Sequence, residues 1–280
     1  MPQVMAGGHA AHVTRMGQGP RAALLIHCSL GHSGGWAPMM AVLDDLLHAA
    51  TFDLPGHGRS ADWDGTREIQ GLSTDIAADL IAAEGGAPVD VIGHSFGATV
   101  ALRLAVERPE LVRSLVLIEP VFFAVALADH PDWAQTHDVD MAAYTEAVEA
   151  GDAERAARAF TSRWGDGRPW DSLPEAQRAA MVQRIHLIEA GAGAIYGDVA
   201  GLLSSGALSR IAVPVLLIEG GASPEYIAAI NEGLARRIPG SRRAVIDGAG
   251  HMVPITHPAP VAAEIRTFLS GAPGTGTAQG

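Results

Sequence analysis

This chain of 280 residues contains no lysine, only one cysteine and no long apolar run. Without lysine, Schiff-base chemistry is excluded. Cys28 alone cannot form an internal disulfide, which favours a reducing compartment, and we expect a cytoplasmic protein. No segment approaches about 18 uninterrupted apolar residues, and residues 1–8 lack a basic region followed by an apolar one. We therefore expect neither a membrane span nor a secretory signal.

The charge balance excludes some partners as well. All basic residues are arginine, and the formal net charge is −12, which argues against a nucleic-acid-binding surface and favours a small-molecule substrate. None of the 12 histidines stands with carboxylates at a convincing metal-ligand spacing, so the sequence predicts no metal and no cofactor. The oligomeric state is left open, with a homodimer as one option.

Short apolar runs alternate with segments of helical periodicity in both halves of the chain. This alternation is typical of an α/β fold whose mostly parallel sheet has helices on both faces. The pattern predicts strands at 22–27, 89–92, 112–118, 213–218 and 242–246, a brief strand that ends at 52–53, and helices at 36–47, 72–83, 98–106, 224–237 and 258–269.

Residues 121–209 interrupt this alternation with a block that has only helical patterns. We interpret the block as an inserted helical cap, with residues 1–120 and 210–270 as the α/β core. Residues 271–280 are rich in Gly, Ala, Thr and Pro, and the sequence predicts a disordered tail there.

The most informative segment is Gly93–Gly97, which reads Gly-His-Ser-Phe-Gly. It lies between a predicted strand and a predicted helix, the setting in which a serine occupies a strained turn with its hydroxyl exposed. We therefore predict that Ser95 is a nucleophile, with an ordinary strand-to-helix turn as the alternative.

Three further segments resemble motifs of the α/β-hydrolase fold family. Residues 27–31 read His-Cys-Ser-Leu-Gly, residues 53–60 read Asp-Leu-Pro-Gly-His-Gly-Arg-Ser, and residues 248–254 read Gly-Ala-Gly-His-Met-Val-Pro. With the Gly-x-Ser-x-Gly segment they follow the family's order. The resemblance implies that His251 is the base that activates Ser95 and that His27 braces a loop. His94 and His57 we interpret as structural.

The resemblance also implies an oxyanion hole made of two backbone N–H groups. One belongs to Phe96, the residue after the nucleophile, and the other to Ser29, with Leu30 as the alternative. Cys28 stands where the family usually has glycine, a replacement that is tolerable if its φ is negative.

The carboxylate that orients the histidine departs from the family pattern. The family usually has an aspartate in the position that Ser223 holds here. Glu119 closes an apolar strand at the same sheet edge as Ser95, and some members of the family carry their acid there. We predict Glu119 as the acid. Glu225, Glu219, another acid and a Ser-His dyad remain alternatives.

A serine nucleophile implies an acyl-enzyme, so we expect a hydrolase of small, largely apolar carboxylic esters. An acyltransferase, a carbon–carbon bond hydrolase, a cofactor-free perhydrolase and a non-catalytic binding protein on the same fold remain alternatives. Aromatic and apolar residues near the motifs are predicted to line the substrate pocket: Leu30, Phe122, Phe123, Trp164, Tyr196 and Met252.

Overall fold

The computed structural model describes residues 3–271, and within them the chain forms a seven-stranded sheet and a separate two-stranded hairpin. The sheet order is β3-β5-β4-β6-β7-β8-β9, and all neighbouring pairs are parallel except β3 and β5. The strands are β1 (Val4–Ala6), β2 (His9–Ala11), β3 (Val13–Met16), β4 (Arg21–Ile26), β5 (Leu47–Phe52), β6 (Val89–His94), β7 (Val112–Ile118), β8 (Val215–Gly220) and β9 (Arg242–Ile246).

Helices connect the strands and cover the sheet, as the alternation predicts. They are α1 (Ala37–Leu43), α2 (Ile69–Ala83), α3 (Phe96–Glu107), α4 (Phe123–Asp129), α5 (Trp133–Glu149), α6 (Ala153–Trp164), α7 (Glu175–Arg184), α8 (His186–Ile195), α9 (Glu225–Arg237), α10 (Val253–Thr256) and α11 (Pro258–Gly271). Short 3₁₀ helices occupy Ser33–Trp36, Pro109–Leu111, Trp170–Ser172 and Ala207–Arg210.

Each face of the sheet has its own apolar core, because successive side chains of a strand point to opposite faces. Val91 of β6 packs in the core beneath α2, α3 and α9, whereas its neighbour Ile92 packs in the core beneath α1 and α11. Both side chains are fully buried, so the central strands read as continuous apolar runs. The predicted two-sided α/β fold is confirmed.

A buried ion cluster joins the three strands whose far ends carry the motifs. Asp90 of β6 accepts hydrogen bonds from Arg21 of β4 and from both Arg113 and Ser114 of β7. Burial alone would raise the pKa of Asp90, but the hydrogen bonds from Arg113 and Arg21 hold it below its usual value. The cluster fixes the positions of β4, β6 and β7 relative to one another.

The helical block predicted at 121–209 contains α4 to α8. Tyr144, Trp170 and Ile185 belong to a small apolar cluster formed within it. Helix α4, at the start of the block, packs on α9 instead, and Asp129 at its end pairs with Arg236 and Arg237. The division into core and cap stays a prediction.

The structure differs from the sequence-based prediction at the N-terminal strands and at the helix predicted for residues 36–47. The N-terminal strands β1, β2 and β3 are not predicted, because strands of three or four residues are too short to show a periodicity, although Gly7 and Gly8 form the tight turn that joins β1 to β2. The helix predicted at 36–47 is wrong at its C-terminal end, since Leu47 already begins β5. The predicted disordered tail lies outside the described residues, except for Gly271, which ends α11.

Candidate active site

Ser95 occupies a strained turn between β6 and α3. Its φ of 55° and ψ of −119° lie outside the regions that side-chain-bearing residues usually adopt. A Cβ on Gly93 would lie 2.3 Å from the carbonyl oxygen of Gly97, and a Cβ on Gly97 would lie 2.2 Å from that of Ile26. Only glycine therefore fits at both flanking positions, as the pattern of the motif indicates.

Three side chains that are far apart in the sequence form a hydrogen-bonded relay. The Oγ of Ser95 lies 2.9 Å from Nε2 of His251, and Nδ1 of the same imidazole lies 2.9 Å from Oε2 of Glu119. All three residues are buried. Because a carboxylate only accepts hydrogen bonds, Nδ1 carries the proton and the Nε2 lone pair faces the serine hydroxyl.

The Glu119 carboxylate is fixed by donors from the β8 side of the site. Oε1 accepts from the backbone N–H of Gly220 at 2.5 Å, and the hydroxyl of Ser223 lies 2.9 Å from both carboxylate oxygens. Glu119 also has a φ of 52°, a conformation that a long side chain rarely adopts. Ser223 thus contacts the carboxylate from the position where the family usually has its acid, a contact that the sequence reasoning did not predict.

The alternative acids occupy other environments. Glu219 is buried against Asn231, whose amide donates to it at 2.6 Å, and against Arg243 at 2.8 Å. Glu225 is exposed in the first turn of α9. Of the three carboxylates considered from the sequence, the structure brings only Glu119 to His251.

The loop after β4 carries the second predicted oxyanion donor. Among the described residues no acceptor is found for the N–H of Ser29, whereas the N–H of Leu30 donates to Nε2 of His57 at 3.1 Å. Leu30 has a φ of 60°, while the φ of Cys28 is not positive. The geometry thus favours Ser29 over Leu30 and meets the condition set for cysteine at position 28. Phe96 begins α3, where backbone N–H groups lack helical partners.

Two buried histidines brace this loop from below. His57 donates from Nδ1 to the carbonyl of Pro55 and accepts from Leu30, while Nε2 of His27 accepts from the N–H of Leu54 at 2.9 Å. Burial lowers the pKa of His27 to about 4 and that of His57 to about 3. Both rings are therefore neutral near pH 7 and can accept these backbone hydrogen bonds.

His94, inside the serine turn, holds the backbone of the adjacent histidine. Its Nε2 donates to the carbonyl oxygen of His251 at 2.9 Å, and the two ring centroids are 5.4 Å apart. Burial, followed by the proximity of His251, lowers the pKa of His94 to about 3. His94 is a neutral donor that fixes the turn after β9.

Two cavities adjoin the relay. The smaller has a volume of about 90 Å³ and is lined by Ser95, Phe96 and His251, among others, and the larger has about 560 Å³. Most of the residues predicted for the pocket line one or both of them, namely Leu30, Phe123, Trp164, Tyr196 and Met252. Phe122 is a correction: it packs in the apolar core just before α4 and lines neither cavity.

Cys28 lies in the wall shared by both cavities. Its thiol is buried, and burial raises the pKa of Cys28 to about 12, so it is not a thiolate near neutral pH. Within residues 3–271 no group of three His, Cys, Asp or Glu side chains could hold a metal ion. Within the same range no helix is long and apolar enough to cross a bilayer.

A mostly parallel sheet covered on both faces, with a serine turn at the end of its central strand β6, is the α/β-hydrolase fold. In agreement with this, the model of the alpha/beta hydrolase family matches residues 23–264, and the chain belongs to that family.

Characterised relatives agree with this assignment. The chain is 32% identical to lipase LipV of Mycobacterium tuberculosis over 263 residues, which cover 92% of this chain and 97% of that protein. It is 31% identical to the pimeloyl-[acyl-carrier protein] methyl ester esterase of Neisseria meningitidis over 261 residues, which cover 85% and 91%. The enol-lactonase from Burkholderia xenovorans LB400 has a similar structure, with a TM-score of 0.73 and 20% identity over 96% of this chain and all of that one. The chain is accordingly an α/β-fold hydrolase.

Proposed function

We propose that this protein hydrolyses small, largely apolar carboxylic esters through an acyl-enzyme, with Ser95 as nucleophile, His251 as base and Glu119 as the orienting acid. The observation that carries the proposal is the relay of two 2.9 Å hydrogen bonds from Ser95 through His251 to a buried carboxylate. A serine hydroxyl is a weak nucleophile at neutral pH and needs a neighbouring base of this kind.

In the first half of the reaction, Ser95 Oγ attacks the ester carbonyl while Nε2 of His251 takes its proton. The positive charge that develops on the imidazole is stabilised by Glu119. The N–H groups of Phe96 and Ser29 bind the oxyanion that forms on the carbonyl oxygen. Nε2 then gives its proton to the leaving alcohol, and the acyl group remains bound to Ser95.

In the second half, water takes the place of the alcohol. His251 removes a proton from the water as it attacks the acyl carbonyl, and the same two N–H groups bind the second oxyanion. Protonation of Ser95 Oγ by Nε2 releases the acid and restores the resting enzyme. The names of two relatives, a lipase and a methyl ester esterase, support a carboxylic ester as the substrate.

A labelled fluorophosphonate tests the nucleophile directly, because it reacts covalently with activated serines. We expect stoichiometric labelling of the purified protein and none of Ser95→Ala. A matched control is Ser223→Ala, which removes a hydroxyl near the relay but leaves Ser95 in place and should still label. Labelling that persists in Ser95→Ala, or none in the folded wild-type protein, would contradict the proposal.

Turnover gives the second readout. p-Nitrophenyl acetate should be hydrolysed with release of p-nitrophenolate, and the activity should be lost in Ser95→Ala. Both variants should melt within a few degrees of the wild type by circular dichroism, so that lost activity can be assigned to lost chemistry.

A further inference from the structure

The two cavities beside the relay differ sixfold in size, and they share one wall. The smaller, of about 90 Å³, contains the nucleophile, the base and both proposed oxyanion donors, whereas the larger, of about 560 Å³, contains neither Ser95 nor His251. The shared wall consists of Cys28, Ser29, Phe160, Trp164 and Met252. A bound ester therefore has one small compartment and one large compartment for its two halves.

The smaller cavity limits the group it holds by size. A cavity of about 150 Å³ accommodates one benzene molecule, so about 90 Å³ leaves room for a chain of about two to five carbons. Its wall comes from the segment after Glu119, through Val121 and Phe123, and from cap helices α5, α6 and α8.

The chemistry of this wall disfavours anions. Its lining is mostly apolar, as at Ile188 and Ile195, and no arginine belongs to it. Its one carboxylate, Glu189, accepts a hydrogen bond from the Tyr144 hydroxyl at 2.8 Å. A negatively charged group would meet an apolar surface and a like charge, so the occupant is uncharged.

Proton transfer decides which half of the ester enters which cavity. Because Nε2 of His251 must protonate the leaving oxygen, the alcohol has to extend along the loop that carries this histidine. Pro254 and Ile255, which follow it, line the larger cavity but not the smaller, and Met252 lies in the shared wall between them. The alcohol is thus directed into the larger cavity, and the acyl group into the smaller.

The larger cavity has aromatic walls, and its two arginine side chains have hydrogen-bond partners within the protein. Trp36, Phe160 and Trp164 line it, together with two arginines. Arg168 pairs with Asp166 at 2.7 Å, and Arg184 donates to the carbonyl of Gly56 at 3.1 Å. A volume of this order holds a drug-sized molecule, and the aromatic walls favour a largely apolar alcohol.

From this asymmetry we propose that the substrates are esters of a short, uncharged acid with a large, largely apolar alcohol. The inference rests on the proposed esterase function and names its substrate class. It excludes the inverse arrangement, in which a long acyl chain is esterified to a small alcohol such as methanol.

Isomeric esters test the proposal without changing composition. Octyl acetate and methyl nonanoate have the same formula, as do 4-phenylbutyl acetate and methyl 5-phenylpentanoate. Acid release, followed by pH-stat titration, should give a kcat/KM at least ten times higher for the acetate in each pair. Equal values, or a preference for the methyl esters, would overturn the proposal. Absent Ser95-dependent hydrolysis of p-nitrophenyl acetate would instead overturn the esterase function itself.

A second pair of esters tests whether the smaller cavity excludes a negatively charged acyl group. 4-Phenylbutyl butanoate and 4-phenylbutyl hydrogen succinate share their alcohol and their acyl length, and they differ in a terminal carboxylate. We expect the butanoate to react at least tenfold faster in kcat/KM. Comparable rates would show that the small cavity accepts anions and would refute this part of the assignment.

Two matched variants, each of which enlarges one cavity, test which cavity holds the acyl group. Ile188→Ala enlarges the smaller cavity, and Met181→Ala enlarges only the larger one. Ile188→Ala should raise the kcat/KM of methyl nonanoate relative to octyl acetate at least threefold, whereas Met181→Ala should leave that ratio within a factor of two. The opposite pattern would reverse the assignment of the cavities. The wild-type ratios decide the proposal even if either variant does not fold.

Discussion

Replacing Glu119 by glutamine removes one charge from the relay and little else. The side chains have nearly the same volume, and the glutamine carbonyl can still accept from the N–H of Gly220. What is lost is the carboxylate that faces the imidazolium during the reaction. Nδ1 of His251 and Oε2 of Glu119 lie 2.9 Å apart, and two unit charges with centres about 4 Å apart interact by about 4 kcal/mol at an effective dielectric constant of about 20. That energy equals a rate factor of about 10³.

A change in the tautomer of His251 would lower the kcat of Glu119→Gln further. A glutamine amide that turns its NH₂ group toward Nδ1 requires the ring proton on Nε2, where it blocks proton transfer from Ser95. The corresponding change in the serine protease triad lowers kcat about 10⁴-fold. We therefore expect Glu119→Gln to lower kcat for p-nitrophenyl acetate by about 10³-fold while KM changes little.

Glu225→Gln is the matched control, because it removes the same charge from an exposed position on α9. It should leave kcat within a factor of two. A Glu119→Gln enzyme that folds, by circular dichroism and melting temperature, and keeps more than a tenth of the wild-type kcat would refute the assignment of the acid. So would a large loss of activity in Glu225→Gln.

The contacts around the relay lead to two further predictions. Ser223→Ala removes the hydroxyl that is hydrogen-bonded to Glu119. Because a hydrogen bond to a charged group contributes about 1.5–3 kcal/mol, kcat should fall about tenfold, and fluorophosphonate labelling should become slower but stay stoichiometric. An unchanged kcat would contradict the positioning role of Ser223. Burial lowers the pKa of three histidines in the folded state, to about 4 for His27 and about 3 for His57 and His94, whereas a histidine in the unfolded chain has a pKa of about 6.5. Below pH 6.5 the unfolded state therefore binds more protons than the folded state, and the stability falls as the pH falls toward about 4. Each of the three should cost about 2 kcal/mol of unfolding free energy at pH 5, measurable by urea denaturation at pH 5 and pH 7, and a flat profile between these values would show that the rings are not neutral in the folded state.

The parts of the site that could be predicted from the sequence are those set by local backbone geometry. The turns around Ser95 and His251 need glycines at fixed spacings, and the apolar residues of β7 predict a strand that ends just before Glu119. The contacts that could not be predicted join distant segments, such as the hydrogen bond from Leu30 to His57 across 27 residues. The hydrophobic periodicity of a sequence does not indicate which distant segments are in contact.

The direction in which a side chain points could not be predicted from the sequence either. Phe122 and Phe123 are neighbours with the same chemistry and both pack in the core, yet only Phe123 also lines the small cavity. The start of α4 at Phe123 decides between them, and helix boundaries are the least certain part of a pattern. Similarly, Ser223 was recognised only as a missing acid, because its contact with Glu119 requires β7 and β8 to be adjacent.

The adjacency of β7 and β8 has an evolutionary consequence. Ser223 touches the carboxylate that His251 uses, so a carboxylate at position 223 would address the same imidazole from the next strand. A lineage that held acids at both places could lose either one by a single substitution without passing through an inactive ancestor. The two positions of the acid are therefore separated by few substitutions, and in this chain the loop after β8 still contributes to the relay through Ser223.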